Sequence, residues 1–265
     1  MVAYSKQTTT NKQQSTTGRN LLLTIKCRNV TFPNIQAILF DKNGTLEDSE
    51  TYLRSLAQRG ARIIDAQIPG IGEPLLMAFG VNGDILDPAG LIAVASRRET
   101  EVAAAAYIAE TGRGWFESLE IARQALEDAE KYIGKTPSPL FVGCLEVLKN
   151  LSETGLKLGI LSAATTQEVR KFVDNHRLSD YIQLEMGVDE GPSKPDPVLF
   201  LQACEKLGVE PSATLMVGDS VGDMQMARNA KAAGCIGITW VGKPDNVAGA
   251  DVVINQLDEI LILSA

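Results

Sequence analysis

The sequence holds little of what several common chemistries need. Among 265 residues there is one histidine, His176, and there are four cysteines: Cys27, Cys144, Cys204 and Cys235. The cysteines are widely scattered. No two have the close spacing of a zinc knuckle or a redox motif, so they are expected to be reduced, packed as small apolar residues, in a cytoplasmic protein. The histidine is expected at the end of a helix, away from the motifs described below. No apolar run approaches the ~20 residues of a membrane span, so no membrane partner is expected. A basic excess is missing too. The net charge is −8, which argues against nucleic acid as a partner. Acid is absent from the first 40 residues, which carry Lys6, Lys12, Arg19, Lys26 and Arg28. The remainder holds 20 basic and 33 acidic residues, a balance of −13.

What is present is an apolar content of 45%, enough for the core of one large domain or of one domain with an insertion. Residues 1–20 are rich in Ser, Thr, Gln and Asn and show no apolar periodicity, so they read as a disordered tail. Their hydroxyls and lack of acid also suit an organelle transit peptide. Residues 21–33 are expected to add a strand or hairpin, with Pro33 and Asn34 marking a turn. Residues 48–136 read as wholly helical. Ala57, Ala61, Ile64 and Ile68 share one helical face, and Leu119, Ala122, Leu126, Ala129 and Ile133 share another. Thr136-Pro137-Ser138-Pro139 then forms a return linker. Beyond it helices and strands alternate: helix 141–154, strand 156–161, helix 166–176 with Thr165 as N-cap, a strand near 182–186, helix 196–207, strand 214–218, helix 221–233, and strands 235–240 and 251–254. This alternation predicts an α/β fold with a doubly wound parallel sheet. The expected organisation is a tail over 1–31, a core over 32–47 and 137–265, and an inserted all-helical cap over 48–136.

Four polar elements follow predicted strands or open predicted helices. Ile35-Gln36-Ala37-Ile38-Leu39-Phe40 reads as a buried strand ending in Asp41, with Gly44 turning the chain. Ser162 ends the 156–161 strand, and the backbone N–H groups after it, from Ala163 on, lead into a helix N-terminus that suits an anion. Lys194 stands in Ser193-Lys194-Pro195. Asp219 and Asp223 stand in Gly218-Asp219-Ser220-Val221-Gly222-Asp223, where Gly218 and Gly222 let the backbone pass close to an ion. Open α/β sheets hold ligands at the carboxyl ends of their strands, so the fold brings these groups to one edge. Three carboxylates suit Mg²⁺, and Lys194 is a point charge able to neutralise them or a phosphate.

With these motifs in this order, the sequence resembles the haloacid dehalogenase-like superfamily, in its helical-cap branch that includes phosphoglycolate phosphatase and β-phosphoglucomutase. The likeness runs from about 35 to 257. Asp41-Lys42-Asn43-Gly44-Thr45 matches the first motif, Ser162 the second, Lys194 the third, and Gly218-Asp219 through Asp223 the fourth. Gly191-Pro192-Ser193-Lys194-Pro195-Asp196-Pro197 is typical of the branch. The resemblance implies a Rossmann-like core and a Mg²⁺-dependent phosphatase of small phosphate esters. Asp41 would be the nucleophile. Asp41, Asp219, Asp223 and the Asn43 backbone carbonyl would be the metal ligands. Asn43, Ser162 and Lys194 would complete the catalytic set, and Asp41, Thr45, Ser162, Ala163 and Lys194 would bind phosphate, Thr45 also supporting the loop. A monomer or weak homodimer is expected. One departure matters: the family's phosphatases carry a second aspartate where this chain has Asn43. An amide cannot exchange protons at neutral pH, and losing a general acid–base group costs ~10²–10⁴ in rate. Attenuated turnover, a phosphate-binding or regulatory protein, and a phosphotransferase or sugar-phosphate mutase therefore all remain open. Asp48 and Glu50, near the cap hinge, are candidates for relaying protons or for stabilising a helix N-terminus. Arg97 and Arg98 are candidates for a second anionic group of the substrate or for a solvated helix face. Trp115 and Phe116 are expected to line the cleft or to pack the cap.

Overall fold

The computed structural model describes residues 22–133, 136–240 and 244–263; the polar tail over 1–20 lies outside them. The chain opens with two antiparallel strands, β1 (Leu23–Cys27) and β2 (Val30–Ile35), and continues into β3 (Ala37–Phe40). The inserted unit follows: α1 (Glu50–Gln67), α2 (Gly72–Phe79), β4 (Val81–Asn82), β5 (Ile85–Leu86), α3 (Leu91–Val94), α4 (Arg97–Glu110) and α5 (Trp115–Ile133). The alternating part comprises α6 (Cys144–Ser152), β6 (Lys157–Leu161), α7 (Thr166–His176), β7 (Leu184–Met186), α8 (Val198–Leu207), β8 (Thr214–Gly218), α9 (Val221–Asn229), β9 (Gly234–Ile238), β10 (Val252–Ile254) and β11 (Ile260–Leu263).

Six strands form a parallel sheet in the order β10-β9-β8-β3-β6-β7. All four residues of β3 are fully buried, because helices cover both faces of the sheet, as parallel sheets require. Strand alternation divides them. Ile38 and Phe40 join the core with α6 and α7, whereas Ala37 and Leu39 join the core with α8 and α9. Ile38, Leu39 and Phe40, once removed from water, contribute roughly 1.5–3 kcal/mol each. The four cysteines are buried and unpaired, as their spacing predicts.

Three expectations need correction. The N-terminal strands do not stop at residue 31, and Pro33-Asn34 is not the turn. β2 runs through both to Ile35, and the turn lies at Arg28-Asn29, with Arg28 left-handed. Proline is tolerated because β2 is the edge of a three-stranded sheet, β11-β1-β2, where its missing N–H breaks no ladder. The buried strand before Asp41 is correspondingly shorter, beginning at Ala37. The cap is not all-helical either: β4 and β5 pair antiparallel across the Asn82-Gly83-Asp84 stretch. The cap core remains helical in character, with Leu56, Ala61, Ile64, Phe79, Ile108 and Leu126 packed together. At its root the two linkers pair with each other, Asp48 N donating to Pro139 O at 2.9 Å and Phe141 N to Leu46 O at 3.0 Å.

Candidate active site

From β3 the chain moves outward to β6 and β7, then returns to β8 on the other side of β3. This reversal is the topological switch point at which open α/β sheets gather ligands. The three strands around it end in Asp41, Ser162 and Asp219. Asp41 N donates to Val217 O at 2.8 Å, fastening the start of the loop to β8. Residues 42–47 then close on themselves, Leu46 N and Glu47 N both donating to Lys42 O at 3.0 and 2.9 Å. Gly44 has φ +72°, and a Cβ there would stand 2.1 Å from Asp219 Oδ2, so only glycine fits. A Cβ on Gly218 would lie 2.4 Å from the Asp223 carboxylate carbon. Gly222, expected to allow a close approach, meets only ordinary contacts at 3.5 Å.

Lys194 Nζ lies 2.5 Å from Asp41 Oδ1 and 2.6 Å from Asp223 Oδ1, and all three side chains are buried. Burial pushes the Asp41 carboxyl up to about 6, Lys194 opposing and Asp223 adding to the rise. Burial, then Asp41 and Asp223, raise Asp219 well above the usual carboxylate range, against the pull of Lys194. Burial works against the Lys194 ammonium, but Asp223 and Asp41 outweigh it and its pKa ends above the ordinary lysine value. Asp223 is oriented by a capping box at the start of α9: Ser220 Oγ donates to Asp223 Oδ2 at 2.6 Å and accepts from Asp223 N at 3.2 Å.

Ser162 is buried, and its hydroxyl accepts from Ala164 N at 3.2 Å. Among the described residues the Ala163 N–H donates to no protein acceptor. Thr165 caps α7 as expected, in a reciprocal bond set with Glu168. A cavity of about 90 Å³ lies here, walled by Asp41, Ser162, Ala163, Lys194, Asp219 and, from the cap, Arg97. A second, of about 350 Å³, opens on the other side of Asn43 and Asp219, with Asp48 and Trp240 on its wall. The structure thus brings Asp41, Asn43, Ser162, Ala163, Lys194 and Asp219 to one cavity. Thr45 and Asp223 stand behind the wall. Thr45 is fully buried, its hydroxyl 3.4 Å from Asp219 Oδ1, so it faces the acid and not the space in which a phosphate would sit.

Other candidates fall differently. Arg97 reaches the cavity but is already paired with Glu101, at 3.0 Å, and with Glu130; Arg98 is 63% exposed. Trp115 and Phe116 neither line the cavity nor pack the cap interior: they are exposed at the start of α5. Glu50 sits in the first turn of α1. His176 ends α7 with its ring against Phe172. Three groups were not singled out by the sequence. Lys42 and Glu47 form a buried ion pair beside Asn43 at 2.5 Å. Trp240, stacked on Phe141, donates its indole N–H to Thr45 O at 3.1 Å. Ser220 carried a readable signal, since Ser-x-x-Asp before a helix is a capping-box pattern.

The acids suit a hard divalent cation. Oxygens of Asp41, Asp219 and Asp223 all lie within 4.8 Å of one another. Asp223 Oδ1 is buried without a hydrogen bond of acceptable geometry, its contact with Lys194 being one of charge. One lysine does not balance three carboxylates.

Residues 35–231 match the family model described as haloacid dehalogenase-like hydrolase. The chain is 28% identical to a phosphoglycolate phosphatase of Vibrio vulnificus, over 88% of this chain and 97% of that protein. It is 26% identical to a phosphoglycolate phosphatase of Escherichia coli K12, over 87% and 92%. In structure it superposes on a predicted phosphoglycolate phosphatase of Haemophilus somnus with a TM-score of 0.65 at 20% identity, covering 84% of this chain and 95% of that one. No helix among the described residues is long and apolar enough to cross a membrane. Motif order, switch-point geometry and the family match agree: the chain belongs to the haloacid dehalogenase-like hydrolases.

Proposed function

We propose that this protein is a Mg²⁺-dependent phosphatase that hydrolyses phosphoric monoesters of small metabolites through an aspartyl phosphate on Asp41. The observation that carries this reading is the meeting of Asp41 with Lys194, Asp219 and Asp223 at the switch point, beside Ser162 and the unengaged Ala163 N–H. The similarity to phosphoglycolate phosphatases supports phosphate esters as the substrate class. Asp41 is the nucleophile: Lys194 holds its Oδ1 and leaves the other oxygen for in-line attack on phosphorus. Ser162, Ala163 N–H and Lys194 bind and orient the phosphoryl oxygens. Asp41, Asp219 and the Asn43 carbonyl would hold Mg²⁺ with Asp223 behind them, and the ion, when bound, supplies positive charge toward the phosphoryl group. Thr45 and Trp240 keep the loop in register with Asp219. The cap covers the cavity and excludes water.

Asn43 favours a second reading, a binding or regulatory protein that keeps the pocket and turns over little, because its amide neither releases nor takes up a proton at neutral pH. A panel of phosphate esters, assayed with Mg²⁺ and with chelator, tests both. The expected result is Mg²⁺-dependent release of free phosphate that is lost in Asp41→Asn. Saturable binding without release selects the second reading, and an isomerised sugar phosphate selects a mutase. Neither binding nor release with any ester overturns the site.

A further inference from the structure

The Lys42 ammonium lies 2.5 Å from Asn43 Oδ1 and 2.5 Å from Glu47 Oε2. Both members of the ion pair are nearly buried, with side-chain exposures of 9% and 11%, and Lys42 Nζ sits 5.6 Å from the centre of the Phe172 ring. The self-closed loop 42–47 keeps the pair together. An ammonium has donors and no acceptor, so the atom of Asn43 that faces it is the amide oxygen. The Nδ2 group of a planar amide then points the other way. Among the described residues it donates to no protein acceptor, and Asn43 lies on the wall of both cavities.

We propose that Lys42, clamped by Glu47, is a positioning residue that turns the Asn43 amide N–H outward as a fixed hydrogen-bond donor, and that the site is thereby matched to phosphate compounds whose leaving oxygen departs as a stable anion: acyl, enol or aryl phosphates. This rests on the phosphatase reading: it narrows the monoesters to enol and aryl phosphates and extends the class to acyl phosphates, which are mixed anhydrides. An amide whose oxygen is held by a cation is a stronger donor than a free one. It can stabilise charge on a leaving oxygen but cannot protonate it. In the first step an Asp41 oxygen gives an electron pair to phosphorus. The bond to the leaving oxygen breaks, and its pair departs as carboxylate, enolate or phenolate. No proton moves, and the ammonium and the amide stay intact. An alkoxide would need a proton that this pair does not supply. In the second step water attacks phosphorus, the Asp41–phosphorus bond breaks, and the water proton passes to solvent with phosphate released.

The test is rapid-mixing measurement of the first turnover on the full chain with Mg²⁺, using acetyl phosphate, p-nitrophenyl phosphate and glycerol 3-phosphate. Burst rates should fall steeply with leaving-group basicity, the alkyl ester about 10²-fold or more behind the aryl ester. Asn43→Asp should raise the alkyl rate by about 10²–10⁴ and the aryl rate far less. Lys42→Met should slow the aryl burst about tenfold with tungstate affinity unchanged, and Lys42→Arg should recover part of it. A purely structural ion pair would change folding and leave the leaving-group dependence as it was. An alkyl burst within about threefold of the aryl one overturns the inference while the phosphatase reading stands. No burst and no release with any of the three overturns both. The leaving-group series needs no variant, so it decides the matter even if Lys42→Met fails to fold.

Discussion

Lys194 and Lys42 are both buried lysines lining the cavity of Asp41, and their ammonium groups keep different company. Lys194 touches Asp41 at 2.5 Å and Asp223 at 2.6 Å, with Asp219 in the same cluster, so one cation faces three carboxylates. Lys42 touches Glu47 at 2.5 Å and the neutral Asn43, so one cation faces one anion. The second arrangement is complete in itself. The first is not: burial raises both Asp41 and Asp219, the neighbouring acids add to the rise, and such a cluster would cost stability for no structural return. Imbalance is therefore what marks the place where a cation and a phosphate act, and balance marks the support beside it.

The largest expected effect comes from deepening the imbalance. Lys194→Met leaves Asp41 and Asp223 buried without their cation, and removing one partner from such a cluster costs about 3–5 kcal/mol. Urea denaturation in chelator measures this. Mg²⁺ should stabilise the variant more than the unmodified protein, since it substitutes for part of the missing charge. Equal Mg²⁺ effects in the two proteins would mean that the cluster is not a cation site. By contrast, replacing both members of the balanced pair, Lys42→Met with Glu47→Leu, should cost less than either change alone.

A smaller effect follows from pH. A carboxyl whose folded pKa is raised holds its proton more tightly folded than unfolded. Stability from Asp41 is then present below the ordinary carboxylate range and is lost as pH rises from there through about 6. In chelator the unfolding free energy read by urea denaturation should fall across that window by an amount of order 1–3 kcal/mol, and saturating Mg²⁺ should flatten the fall. A midpoint that is flat in chelator breaks the comparison between the two lysines, because it removes the strain ascribed to the acidic cluster.

These contrasts also explain what the sequence could disclose. Asp41, Ser162 and Asp219 were legible because each terminates a short apolar strand, and strand ends at a switch point converge whatever the loops do. Thr165 was legible because a capping box is a local pattern. Pro33 misled because its tolerance depends on β2 being an edge, and that depends on which side of β1 the third strand joins: β11, more than 200 residues later, pairs with β1 on the far side and leaves β2 outermost. Lys42 and Glu47 were illegible for a related reason. Five residues apart in a loop fits neither helical nor strand periodicity, and only loop closure joins them. The Trp240–Thr45 bond, 195 residues apart in sequence, left no local trace.

Gly44→Ala separates backbone strain from charge. The left-handed φ costs more than the ~0.4–1 kcal/mol that a compatible replacement would gain. The added Cβ would also displace Asp219, whose Oδ2 lies 2.1 Å from the site it would occupy. Expected are a stability loss of about 1–2 kcal/mol and a loss of Mg²⁺ affinity out of proportion to it, read by calorimetry. Unchanged Mg²⁺ affinity would detach Asp219 from the acidic cluster.

The smallest effect is the sharpest instrument, because the same kind of cap recurs in different company. Ser220 caps α9 through Asp223, and Ser96 caps α4 through Glu99, each by a reciprocal capping box. Removing either hydroxyl should cost about 1 kcal/mol, the usual worth of an N-cap. There the likeness ends. Glu99 reaches back to Ser96 N and faces no cation of the site. Asp223 presents its other oxygen to Lys194 at 2.6 Å, so loosening Ser220 loosens the lysine as well. Ser220→Ala and Ser96→Ala should then unfold at similar urea concentrations, while only Ser220→Ala weakens tungstate binding and slows phosphate release. Equal tungstate affinity in the two variants would show that Asp223 holds its orientation without the cap, and that the lysine is fixed by Asp41 alone.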